Sequence, residues 1–245
     1  MDFRRCWQDV ERKRAPQHRA ESAREGLQAL AGDGRGLVAA VWLDLRGKGT
    51  ELWGRISRDG GATGASDLSI YQSPDGHICE CCVPSVAISP TGEIAAMWRN
   101  WLGGSRDLYT ATSRDGRAFS PAQKLGTGTW KLNGCPMDGG GLDFAADGGV
   151  LTAWRREGTV FRALTSGPES SLGGGAQPLV LGGKRPVILW EQGGALHAQR
   201  DGEAARVLAQ PARMASAART KAGFIVAWEQ AEEDAVRLMV EEFAD

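Results

Sequence analysis

Five short apolar runs, each ending in tryptophan, organise this chain: Val38–Trp42, Ile94–Trp98, Val150–Trp154, Pro186–Trp190 and Phe224–Trp228. The tryptophans recur at intervals of 56, 56, 36 and 38 residues, and a glycine precedes four of the runs (Gly36, Gly92, Gly149 and Gly223). Runs this short, near-continuously apolar and bounded by turn residues, predict strands buried on both faces. Two runs are preceded by a further strand candidate and a turn: Ser85–Ile88 before Pro90-Thr91-Gly92, and Leu142–Ala145 before Asp147-Gly148-Gly149. Each run is followed by a polar turn and another strand: Glu51–Ile56, Asp107–Thr112, Thr159–Ala163, Ala195–Ala198 and Val236–Val240. Short strands joined by Gly/Asp/Asn turns, repeated at blade-sized intervals, predict an all-β propeller of four-stranded antiparallel meanders. A β-sandwich with coincidental tryptophan spacing is the alternative.

Composition sharpens this picture. Nine Trp stand against two Tyr and six Phe, and Gly supplies 34 of 245 residues, roughly twice average usage. Many tight turns and a repeated aromatic position account for both excesses. Lys plus Arg (29) balances Asp plus Glu (30), for a net charge of −1, which leaves no electrostatic footprint for nucleic acid. No apolar run approaches the ~18 residues of a membrane span.

Two segments carry a family resemblance. Ser57-Arg58-Asp59-Gly60-Gly61-Ala62-Thr63 resembles the Asp-box of bacterial neuraminidase repeats, with Gly64 where the motif's aromatic belongs. Ser113-Arg114-Asp115-Gly116-Arg117-Ala118-Phe119 is a shortened form that keeps the aromatic. Each starts 15 residues after a run-ending tryptophan. Ser and Asp accept backbone N–H bonds in such a hairpin, and Gly supplies the positive φ. The chain thus resembles the sialidase-type BNR/Asp-box propeller superfamily from residue 27 to the C-terminus. The resemblance implies six blades, whereas five tryptophan repeats fit the length. Five blades, or a six-bladed propeller lacking its first, are both open. Residues 1–26 are expected to form an arm, either a short helix or a frayed segment, with Phe3–Val10 as a candidate closing strand.

The resemblance also implies sialidase chemistry: three arginines on the sugar carboxylate, a Tyr–Glu nucleophile pair and an Asp acid/base. The Phe/Tyr-Arg-Ile-Pro motif that supplies the first family arginine is absent, and Tyr71 and Tyr109 sit away from the expected inner strands. Polar candidates do occupy the turns after the tryptophan runs: Asp44 and Arg46, then Arg99, Asn100, Trp101, Arg106 and Asp107, then Arg155, Arg156 and Glu157. Glu191 and Glu229 follow their tryptophans as well. In a propeller these turns share the ligand face with the connections between blades. Arg46, Arg99, Arg106 and Arg155 are candidate carboxylate binders, and rim salt bridges are the simpler role for them.

The unusual chemistry lies in His77-Ile78-Cys79-Glu80-Cys81-Cys82 and Asn133-Gly134-Cys135-Pro136-Met137-Asp138. Each segment precedes a first strand, so both are expected on the ligand face of adjacent blades. His77, Cys79, Cys81, Cys82, Cys135 and Met137 are soft ligands that suit copper or zinc. In extended backbone Cys79 and Cys81 point one way and Cys82 the other, and the spacing is read as matching no Cys-x-x-Cys zinc pair. A disulfide from Cys79 or Cys82 to Cys135, a vicinal Cys81–Cys82 bond, or buried inert thiols are the other readings. A thiol nucleophile lacks a second histidine, because His18 falls in the arm and His197 on an outer strand. No apolar h-region occurs in residues 1–30, so the chain as written is expected in the cytoplasm, where disulfides are rare. An upstream start would place it in the periplasm or outside the cell. The leading expectation is a monomeric, non-hydrolytic propeller binding a soft metal. A sialidase-like hydrolase and a disulfide-stapled glycan or protein binder are the alternatives, and no nucleotide cofactor is implied.

Overall fold

The computed structural model describes residues 23–244, apart from 166 and 234. The candidate strand at Phe3–Val10, Cys6 and His18 lie outside those residues. The described chain is all strand, turn and loop, and no helix in it is long and apolar enough to cross a membrane. Sheet 1 contains β1 (Ala23–Gly32), β2 (Val38–Asp44), β3 (Glu51–Ser57) and β4 (Leu68–Tyr71). Sheet 2 contains β5 (Ser85–Ile88), β6 (Ile94–Arg99), β7 (Leu108–Ser113) and β8 (Gln123–Lys124). Sheet 3 contains β9 (Gly141–Phe144), β10 (Val150–Arg156), β11 (Thr159–Leu164) and β12 (Ser170–Gly174). Sheet 4 contains β13 (Ala176–Leu181), β14 (Val187–Gln192), β15 (Ala195–Arg200) and β16 (Arg206–Ala209). Sheet 5 contains β17 (Arg213–Arg219), β18 (Gly223–Ala231) and β19 (Val236–Ala244). Every sheet is an antiparallel meander in chain order, and the last has three strands. All five tryptophan runs form second strands, as their pattern predicts.

Three of those runs, in β6, β10 and β14, are apolar on consecutive positions because their alternate side chains serve two different cores. Val41, Leu43 and Leu52 of sheet 1 pack with Ala96, Trp98 and Ala111 of sheet 2. Ala95 and Met97 on the opposite face of β6 join Leu142, Phe144, Val150 and Trp154 of sheet 3. Leu151 and Ala153 meet Val180, Ile188 and Trp190 of sheet 4, while Val187 and Leu189 meet Phe224, Val226 and Trp228 of sheet 5. Trp98, Trp154, Trp190 and Trp228 therefore all point back at the preceding sheet. First strands of consecutive sheets touch in the same sequence, β1 to β5 to β9 to β13 to β17. Among the described residues the trailing face of sheet 5 has no such cover: Val236, Leu238 and Val240 are exposed, as is Leu30 on β1.

The two motif segments close the β3–β4 and β7–β8 connections through the hydrogen bonds their residues suggest. Ser57 Oγ accepts from Gly61 N at 2.9 Å and donates to Asp59. Asp59 accepts from Thr63 N at 2.8 Å and from the Thr63 hydroxyl. Ser113 Oγ accepts from Gly116 N, and Asp115 from Arg117 N. Phe119 packs against the two clusters between sheets 1 and 2. At Gly64 a Cβ would lie 2.6 Å from Arg55 Cδ, so that side chain fills the space an aromatic would need.

These contacts give two expected outcomes. The indole N–H of buried Trp98 has no hydrogen-bond partner among the described residues, so Trp98→Phe removes an unpaired donor. It should change unfolding free energy in urea by about 1 kcal/mol at most, whereas Trp98→Ala should cost about 3–5 kcal/mol. Asp59 is lowered from 3.8 to about 2 by the Ser57 and Thr63 hydroxyls and the Thr63 N–H. Its stabilisation is complete above the unfolded value and disappears as pH falls through the folded one. Asp59→Asn should lower the thermal midpoint at neutral pH and flatten its decline between pH 3.8 and about 2.

Candidate functional site: the sulfur cluster and the axial cavity

The cysteine segment is held between two turns of neighbouring sheets. Ile78 N donates to Thr50 O, in the turn before β3, and Cys79 N donates to Arg99 O at the end of β6, both at 2.9 Å. A tight turn at Glu80–Cys81 then reverses the chain. That turn overrides the extended alternation expected from sequence and brings all three sulfurs to one side. Cys79, Cys81 and Cys82 Sγ lie within 4.8 Å of one another. Cys79 and Cys82 are the ends of a Cys-x-x-Cys turn, a spacing obscured by the cysteine between them. Their sulfurs are 3.2 Å apart, and both residues are buried and free. Cys81 is disulfide-bonded to Cys135, with Cα atoms 6.3 Å apart. The inter-sheet staple thus uses Cys81, and neither Cys79 nor Cys82 as expected.

This bond splits the expected metal set. Cys81 and Cys135 are spent as thiolates, His77 stacks on Trp101 with ring centroids 5.8 Å apart, and Met137 is exposed. Two guanidinium charges act on the cluster: Arg99 on Cys82, and Arg106, whose Nη1 donates to Cys79 Sγ at 3.1 Å while its guanidinium lies 4.3 Å from the centre of the Trp101 ring. Cys79 is lowered to about 6, mainly by its hydrogen bond with Cys82, then by the Cys81 N–H and Arg106, against the effect of burial. Cys82 moves the other way, pushed up by the same hydrogen bond and by burial. One proton shared between two sulfurs explains both directions. Sequence reasoning looked for a histidine beside a nucleophilic thiol; the partner is an arginine 27 residues downstream.

The remaining candidates are committed to structure. Arg99, 1% exposed, donates to three carbonyls from separate segments: Asp138 at 3.0 Å, Arg106 at 2.7 Å and Arg155 at 3.2 Å. Arg46 forms hydrogen-bonded ion pairs with Asp44 and Asp67 and covers Trp53, and Asp44 also accepts from Trp42 Nε1. Arg155 lies 3.8 Å from Asp138 and covers Trp130 together with Arg99. Asp107 accepts from Trp130 N and Thr129 Oγ1. Asn100 donates to the Tyr71 hydroxyl at 2.9 Å. Burial raises both Tyr71 and Tyr109, away from what a phenolate nucleophile requires.

Beside the sulfurs opens a cavity of about 320 Å³ where the first strands of sheets 2 to 5 begin. Val83, Met137, Leu179, Met214 and Ala215 give it apolar walls, with Gln177 and Glu191 as polar groups. Met137, Gln177 and Met214 have φ of 53°, 51° and 53°, a left-handed conformation that side chains with a Cβ rarely adopt. Three of the four such non-glycine residues described line this one cavity, a concentration typical of ligand clamps. Asp138, fully buried, fastens the rim by accepting from Gln177 N at 3.0 Å. Only Met137 and Glu191 among the lining side chains were singled out from sequence, since nothing in a residue type marks left-handed backbone outside glycine and asparagine.

No protein-family profile and no curated protein matches the chain. Solved structures do. A Hadza microbial sialidase, Hz136, aligns at 15% identity and TM-score 0.53, covering 85% of this chain and 53% of the sialidase. The NanB sialidase of Streptococcus pneumoniae aligns at 8% and 0.52, covering 92% and 61%. The six-bladed fungal lectin of Aleuria aurantia aligns at 10% and 0.51, covering 87% and 74%. The chain thus spans about half to three-quarters of these proteins and shares a sialidase-like propeller fold with them.

Replacing Arg99 tests the polar pin beneath the site. Arg99→Met should leave three carbonyls without their donor and cost about 3 kcal/mol or more in urea unfolding; a loss under about 1 kcal/mol would show water substituting freely there.

Proposed function

We propose that this chain is a non-hydrolytic binding propeller that takes a neutral glycan with an apolar face in the axial cavity. The carrying observation is the composition of the cavity wall: methionine, leucine, valine, alanine and proline with one hydroxyl, one amide and one carboxylate, and no guanidinium among the described lining residues. Glu191 in that wall repels an anionic sugar. The four arginines offered as carboxylate binders are paired with carboxylates, backbone carbonyls, Cys79 or tryptophan rings. Both tyrosines are raised by burial, which supports the absence of a Tyr-nucleophile step. Propellers whose names record sialidase activity or fucose recognition share the fold, and a methyl-bearing deoxy sugar suits a methionine-lined wall. We read the five sheets as five blades, with the uncovered side of sheet 5 facing sheet 1.

Titration calorimetry against neutral and anionic monosaccharides tests this reading. Saturable binding is expected for a neutral sugar, weakened about tenfold or more (~1.4 kcal/mol) by Val83→Trp, at an exposed position of the cavity wall. Release of fluorophore from a sialoside, or binding untouched by Val83→Trp, would overturn it.

A further inference from the structure

Four sulfurs meet at the cavity rim in two chemical states, and their placement is graded from inside to outside. Cys79 and Cys82 are buried as thiols, Cys81 is half-buried, and Cys135 is exposed. The Cys79 sulfur lies 3.6 Å from Cys81 Sγ and 3.2 Å from Cys82 Sγ. It therefore touches both the disulfide and its own Cys-x-x-Cys partner, with the Arg106 guanidinium at 3.1 Å as counter-charge.

We infer that these cysteines form a thiol–disulfide exchange centre, in which the buried Cys79/Cys82 pair reduces the exposed Cys81–Cys135 disulfide and so delivers two electrons to a small-molecule disulfide in solvent. Cys79 thiolate attacks Cys81 Sγ; a Cys79–Cys81 bond forms, the Cys81–Cys135 bond breaks, and Cys135 leaves as a thiolate that takes up a proton. Cys82, losing its proton, attacks Cys79; a Cys79–Cys82 disulfide forms and Cys81 leaves as a thiolate, protonated in turn. The buried pair gives up its one shared proton and the outer pair takes up two, the second from solvent, while the electrons balance among the four sulfurs, so the internal step needs no outside oxidant. The outer dithiol then reduces the external disulfide, becoming Cys81–Cys135 again and releasing two small thiols. A buried dithiol that solvent disulfides cannot reach directly thus acts through an exposed pair that they can.

The centre also fastens the rim of the cavity. Cys82 is followed by Val83, and Cys135 is separated from Met137 by one residue, so the staple ties two walls of the cavity together. Moving the disulfide inward unties them. The exchange itself is read without any sugar, so its failure and the failure of the glycan reading are separate results.

Oxidised glutathione is the probe, added to the anaerobically purified full chain carrying Cys6→Ser throughout, so that the four clustered sulfurs alone are counted, with released thiol and bound metal both measured. The wild type should release about two thiols per chain. Cys79→Ser should release none, because the attacking sulfur is gone while the staple remains. Cys82→Ser should stop after the first step, leaving Cys135 as one solvent-reactive thiol that a maleimide mass tag detects. Arg106→Gln keeps all four sulfurs and should slow release without changing its stoichiometry, which guards against a misfolded cysteine variant. Release from Cys79→Ser at the wild-type rate would overturn the inference. So would one equivalent of copper or zinc that co-purifies with the wild type and is lost in Cys79→Ser.

Discussion

Everything on the ligand face depends on a second strand that is buried on both sides. In β6, Ala96 and Trp98 face one neighbouring sheet while Ala95 and Met97 face the other; β10 and β14 repeat the arrangement. A strand with two apolar faces has no stable place on a surface, so sheets 2, 3 and 4 each require a sheet on either side. Burying one large apolar side chain contributes about 1.5–3 kcal/mol, and each tryptophan run supplies several. Stacking fixes the ends of successive strands relative to each other, and the ends carry the chemistry. The cysteine turn between sheets 1 and 2 meets the Cys135 loop between sheets 2 and 3 because sheet 2 is held between its neighbours.

Arg99 converts that stacking into a defined loop geometry. It terminates β6, and its guanidinium reaches carbonyls before β7, before β9 and within β10. Burying a guanidinium is costly unless its donors are used, and burial pulls this one down from its ordinary value. Three carbonyl acceptors offset that cost and leave the group unavailable to a ligand. The same residue type in the same turn would be a carboxylate clamp if it pointed outward, so orientation decides between the two roles.

The five second strands were legible because the apolar run and its terminal tryptophan survive in each, at intervals of 56, 56, 36 and 38 residues. Fourth strands such as β8, two residues long, and β12, Ser-Ser-Leu-Gly-Gly, have no apolar pattern because their outer faces meet solvent. They form by pairing with the strand before them, and such pairing leaves little trace in composition. The convergence of the two cysteine segments was legible from their equivalent positions before β5 and β9. The pairing of sulfurs was not, because a turn at Glu80–Cys81 reverses the alternation that an extended segment would show. Nor was the cavity, whose strained residues are Met137, Gln177 and Met214, types that normally signal helix or strand.

The partner of Cys79 decides which sulfur chemistry is available. A thiol that attacks a carbonyl needs a base that takes its proton and later returns it to the leaving group, the role of histidine. A guanidinium does not fill that role, and His77 is stacked on Trp101. What a guanidinium at 3.1 Å does supply is a fixed positive charge beside a thiolate. Attack on a disulfide asks for that alone, since the leaving group is another thiolate and needs no general acid. The cation acts against binding of a metal ion at the same sulfur, because it occupies a position from which it repels an incoming charge. The 3.2 Å separation of Cys79 and Cys82 sulfurs acts in the same direction: two ligands of a tetrahedral ion with bonds of about 2.3 Å stand further apart than that, whereas a disulfide draws them closer.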